Sequence, residues 1–146
     1  MATSLRLRIP REDYSGLAQL PSELAPLAQA LDRSRELLEL GDDWDEQGSP
    51  GYQESTLSRA NQFVWSSTLR LWEALSLQIE VPRILPGPDG SIDVHWTRGQ
   101  RQLFINVPAG DMKPATYYGD DRSQNVVKGS LDTSGQQEWL LLWLLK

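Results

Sequence analysis

The chain has 146 residues, of which 39% are apolar and 23% charged, with a formal net charge of -6 and no cysteine. That length and composition describe one globular domain over residues 1–146, able to bury roughly 70% of the surface its unfolded chain exposes. The missing cysteines exclude disulfides, thiol nucleophiles and thiolate zinc sites; a lone histidine, His95, excludes histidine-rich metal centres; and the acidic balance argues against a nucleic-acid backbone as ligand.

Near the N-terminus, Leu5, Leu7 and Ile9 alternate with Arg6 and Arg8, which predicts a short strand over Leu5–Ile9. The first twenty residues lack the unbroken apolar stretch of a secretory signal. The longest apolar run, Trp139 to Leu145, covers seven residues, whereas a membrane-spanning helix needs about twenty. A cytoplasmic protein that does not enter a membrane is expected.

From Pro21 the spacing of Leu24, Leu27, Leu31, Leu37, Leu38 and Leu40 predicts a helix, with Ser22 as its N-cap and Gly41 as its stop. A second helix is predicted from after Ser55 to about Leu77, because Leu57, Ala60, Val64, Leu71, Trp72 and Leu75 fall on one stripe. From Val81 the period changes to two. Ile92, Val94 and Trp96 alternate with Asp93, His95 and Thr97, and Leu103, Ile105 and Val107 continue the pattern after Arg98-Gly99-Gln100, so residues 91–107 read as a hairpin. Weaker strands are expected at Ala115–Tyr118 and Asn125–Lys128.

A closing helix is predicted over Glu138–Leu145, opened by Asp132, Thr133 or Ser134 as N-cap, with Ser134 and Gln137 at the spacing of a capping box. It is apolar on every face, so either the N-terminal helices pack on the side away from the sheet or part of it is an association surface, including one for a second copy of the chain. The expected class is α+β: two N-terminal helices, an antiparallel meander of three to four strands, and a C-terminal helix packed on the sheet.

The charge is concentrated. Asp42, Asp43, Asp45, Glu46 and Glu54 lie in one segment without a basic residue, leaving 14 basic and 15 acidic residues elsewhere. Three readings apply to the run from Asp42 to Pro50. It is a helix-to-helix loop in which Trp44 folds back on the core, Gly48 permits a left-handed backbone and Pro50 stiffens the exit. Alternatively it is an EF-hand-like calcium site, with Asp43, Asp45, Gln47 and Glu54 at positions 1, 3, 5 and 12 and Gly48 at the turn, although Gln47 and Pro50 depart from the usual pattern. As a third reading, it is an acidic recognition surface for another, basic protein, with Asp42, Asp43, Asp45 and Glu46 supplying charge and Trp44 and Tyr52 as aromatic anchors. Trp139 and Trp143 on the last helix are further candidate contacts.

Asp43-Trp44-Asp45-Glu46-Gln47-Gly48-Ser49-Pro50, followed by Val81-Pro82-Arg83-Ile84-Leu85-Pro86-Gly87-Pro88-Asp89-Gly90-Ser91 and the strand to Trp96, resembles a family of small uncharacterised bacterial proteins. In that family a W-D-G-x-G-A-P loop joins two helices, and a proline-flanked D-G-G turn leads into a strand ending in Trp. The resemblance spans about residues 36–107 and departs from the family at Glu46, where glycine is usual, and at Ser49, where alanine is. It implies a bacterial cytosolic origin and the fold, and no activity.

For chemistry, Asp93 and His95 form a candidate acid-base pair, with Thr97 on the same strand face, but alternation places them opposite the apolar residues on an outer surface. Paired carboxylates are a second source of acid-base chemistry, but adjacent acids on one loop are normally solvated and offer no pocket. Tyr117-Tyr118 and Asp120-Asp121 could frame a small pocket, although an ordinary edge strand is the simpler reading. No nucleophile elbow, phosphate loop or metalloprotease motif occurs. The sequence therefore reads as a bacterial interaction or accessory module of an antitoxin-like or immunity-like kind, with no catalytic residue and no cofactor.

Overall fold

The computed structural model describes residues 21–110, 113–135 and 137–146. The strand expected at Leu5–Ile9 lies outside these residues. The first predicted helix is divided. A 3-10 turn, Ser22–Leu24, leads into α1, Ala25–Arg33, which tightens into a second 3-10 segment, Ser34–Glu39. Ser22 is not the N-cap: its hydroxyl meets the Glu23 carboxylate. The tightening at Ser34 has a local cause, because the buried Ser34 hydroxyl donates to the Leu31 carbonyl while Asn61 from the next helix donates to both Ser34 and Leu31.

The long helix α2 spans Glu54–Leu75. Leu57, Ala60, Phe63, Val64 and Leu71 are buried along its stripe, and Trp65 is buried beside them, whereas Leu75 at the end of the stripe is exposed. α2 closes on Ser76 in the left-handed conformation, φ 52°, with its N–H on the Trp72 carbonyl and the N–H of Leu77 on that of Leu71. This is a Schellman-type stop made without glycine.

Five strands follow as an antiparallel meander in the order β1-β2-β3-β4-β5: β1 Arg83–Pro86, β2 Ile92–Arg98, β3 Arg101–Val107, β4 Ala115–Asp120 and β5 Val126–Leu131. Three to four strands were expected. β1 is the addition, and Pro82 and Pro86 conceal it in the sequence, since proline is tolerated in a strand only at an edge or end. The β2–β3 hairpin turns on Gly99 and Gln100, with Gly99 at φ 58° and Arg98 opposite Arg101. Left-handed glycine at the first of two loop residues suits the twist of a tight hairpin.

One sheet face carries Ile92, Val94, Trp96, Leu103, Ile105, Val107, Ala115 and Leu131, all buried, and α2 and α3 pack on it. Burying these side chains is the main stabilising contribution, about 1.5–3 kcal/mol for each large one. The helix α3, Glu138–Leu145, has the predicted bounds but not the predicted cap: Ser134 bonds the Asp132 carboxylate, and Gln137 occupies the N-cap without a side-chain cap bond. Leu140, Leu141, Trp143 and Leu144 are buried between sheet and α2, whereas Trp139 and Leu142 are exposed. The long helix α2 thus covers part of the surface of α3 that the sheet leaves open, and Trp139 and Leu142 stay uncovered. No described helix is long and apolar enough to cross a membrane.

Candidate functional site: the acidic loop

The segment Asp42–Pro50 is held by its own carboxylates. Asp42 accepts the backbone N–H of Gly51 at 2.8 Å, Asp43 that of Gly48 at 2.7 Å, and Asp45 those of Gln47 and Ser49 at 3.0 and 3.2 Å together with the Ser49 hydroxyl. Backbone bonds from Asp43 N–H to the Ser49 carbonyl and from Glu46 N–H to the Asp43 carbonyl close the turn. Aspartate folds a chain this way because its short side chain reaches backbone donors a few residues on. The Ser49 hydroxyl, helped by the N–H groups of Gln47 and Ser49, holds the Asp45 carboxyl below its ordinary value against the opposing effect of desolvation.

The backbone is left-handed at Asp43, Glu46 and Gly48, with φ 62°, 59° and 83°. Glycine at 48 meets this requirement without strain. Glu46, though not glycine, holds a backbone conformation that glycine favours.

The loop and the proline-flanked turn, far apart in sequence, meet in space. The Tyr52 hydroxyl donates to the Gly87 carbonyl at 2.9 Å. A Cβ added at Gly90, φ 79°, would lie 3.6 Å from the Gly51 carbonyl oxygen and 3.8 Å from Cγ of Pro50. Tyr52 is only 8% exposed, and burial pushes its phenol above the usual range. It is therefore a buried strut between the two motifs, not the surface anchor expected from the sequence. Trp44 leans on it with ring centroids 6.1 Å apart at 50°, and stays 36% exposed.

Of the remaining expected contacts, Trp143 is also buried. Its ring covers Gly119, and the Arg101 guanidinium lies 4.7 Å from the ring centre while donating to the Trp143 carbonyl at 2.7 Å. Trp143 is a core residue, not an anchor. Trp139 remains accessible, edge-on to Tyr117 with centroids 5.5 Å apart.

The proposed calcium ligands do not converge. Asp43 and Asp45 each direct an oxygen at backbone donors within the loop, Gln47 contributes its own N–H to Asp45, and Glu54 pairs with Arg35 at 3.0 Å. Among the described residues no group of three or more His, Asp or Glu side chains is placed to hold a metal ion. On the outer sheet face, Asp93 accepts from Asn106 at 2.7 Å and His95 stacks parallel on Phe104 at 4.0 Å, while Thr97 is exposed. Asp93 and His95 share a face, as alternation implies, but each has a different partner. Tyr118 is exposed beside Asp120, and Asp121 closes the β4–β5 turn through Asn125 and Ser123.

One arrangement had no signal in the sequence. Arg59 of α2 donates to the Thr133 hydroxyl and to the carbonyls of Pro108, Gly110 and Lys113, tying α2 to the segments before β4 and before α3. Comparison with protein-family models, with curated proteins and with solved structures found no match.

Proposed function

We propose that the protein is a binding module, an accessory subunit of antitoxin-like or immunity-like type, that presents the Asp42–Pro50 loop to a partner protein with a basic surface. The observation that carries this reading is Trp44: a large aromatic left 36% exposed, backed by Tyr52, at the centre of an acidic loop already folded by its own hydrogen bonds. A surface ordered before binding loses less entropy on association, and an exposed tryptophan among charges is the kind of group that dominates an interface. Acidic charge beside it speeds encounter with a basic partner.

Not all the acids are equally available. Asp42, Asp43 and Asp45 each commit at least one oxygen to the loop, and Glu54 is paired with Arg35, so Glu46, exposed and without a side-chain partner among the described residues, is the freest charge. The test is to capture interacting proteins from extract of the source organism with wild-type protein and with the Trp44→Ala and Glu46→Lys variants. A protein retained by the wild type and lost by both variants supports the reading; retention by all three refutes it. The calcium reading is disfavoured by the Arg35–Glu54 pair, and the Asp93/His95 enzyme reading by the separate partners of the two side chains.

A further inference from the structure

Away from the acidic loop, the C-terminal end of α2 and the first turns of α3 enclose an apolar groove. Leu71 forms its floor, Leu75 and Leu142 stand on its walls at 54% and 37% exposure, and Arg70, Glu73 and Glu138 rim it. Leu75 and Leu142 line this one groove together with Leu71, so they form a shared apolar patch and are not scattered single residues.

The charges at the rim select the occupant. Arg70 is consumed by its ion pair with Glu138. Glu73 has no ion pair among the described residues. It lies in the last turn of α2, where the backbone carbonyls and the helix dipole add further negative potential. A second copy docked through the same groove would bring two such acidic rims together, and an anionic membrane would meet the same repulsion.

We infer that this groove is a second protein-binding site, and that it takes an amphipathic helix of another protein with leucine-like anchors on one face and Lys or Arg beside them. The anchors fill the space between Leu75 and Leu142, and a basic side chain reaches Glu73 and the α2 carbonyls, the helix-in-groove mode of recognition. The site is independent of the acidic loop, so either can fail without the other.

The probes are two labelled peptides of about 18 residues, five helical turns, with leucine at helical spacing and either lysine or glutamate elsewhere; binding is read by fluorescence anisotropy. The lysine peptide is expected to bind the wild type more tightly than the glutamate peptide, and to lose roughly tenfold in affinity with Leu75→Ser/Leu142→Ser and again with Glu73→Lys, a surface change that leaves the core intact. The Trp44→Ala/Glu46→Gln variant is expected to bind it as the wild type does. Equal binding of the two peptides, or unchanged affinity in the groove variants, overturns the inference. So does loss of binding on changing the acidic loop, which would make that loop the peptide site, or a wild-type dimer that Leu75→Ser/Leu142→Ser dissolves, which would make a second copy the occupant.

Discussion

The Tyr52 hydroxyl and the Gly87 carbonyl, 35 positions apart in the chain, are joined by a 2.9 Å hydrogen bond that fixes the acidic loop to the turn before β2. Through it, the exposed Trp44 stands on a support continuous with the sheet, because β2 begins at Ile92, just beyond that turn.

Tyr52→Phe removes this bond and leaves the buried Gly87 carbonyl without its donor. The expected cost is about 1–2 kcal/mol, read as a lower urea midpoint with an unchanged slope. A midpoint equal to that of the wild type would mean that the loop is held by its own aspartates alone.

Glu46 and Ser76 are both non-glycine residues in the left-handed conformation, one in the loop and one at the end of α2. An L-residue there is strained by about 1 kcal/mol relative to glycine. Glu46→Gly and Ser76→Gly are each expected to raise or hold the melting temperature, whereas glycine at the neighbouring exposed helical position Ala74 should lower it. Destabilisation by Glu46→Gly would show that the glutamate side chain stabilises the loop.

Asp45, Asp121 and Asp132 are all held below their ordinary values, chiefly by hydrogen bonds from Ser49, Asn125 and Ser134 respectively. A carboxyl whose folded pKa lies below its unfolded value contributes stability that is present above the unfolded value and lost as pH falls through the folded one. Stability should therefore be level above about pH 4 with respect to these groups and fall below it. Ser49→Ala should make the acid limb of a melting-temperature profile shallower; an identical limb would remove Asp45 from the account.

Much of the fold was legible because burial follows period. Ile92, Val94 and Trp96 on β2 and Leu103, Ile105 and Val107 on β3 alternate inward as read, and α2 keeps its apolar stripe as far as Leu71. β1 was hidden by its prolines, and the 3-10 segment after Arg33 by leucine spacing that a looser helix also satisfies. At the candidate site the acidic loop was visible from charge alone. The inward turn of Tyr52 and Trp143 was not, because what they meet, the backbone carbonyl of Gly87 and the bare Cα of Gly119, is distant in sequence and carries no side chain to mark it.

Gly119 illustrates that dependence. A Cβ there would lie 2.8 Å from Cζ3 of Trp143, so Gly119→Ala should displace the tryptophan from β4 and the Arg101 guanidinium, at a cost of about 1–3 kcal/mol. Wild-type stability together with unchanged near-ultraviolet dichroism would contradict the packing described.

The claim that the loop is a binding surface ordered in advance is tested most directly by amide hydrogen exchange on the free protein and on its complex with the captured partner. The N–H groups of Gly48, Ser49 and Gly51 should already be protected in the free protein, and protection across residues 42–50 should rise further in the complex. Fast exchange of these amides in the free protein, or a complex that protects other segments and leaves 42–50 unchanged, would contradict it.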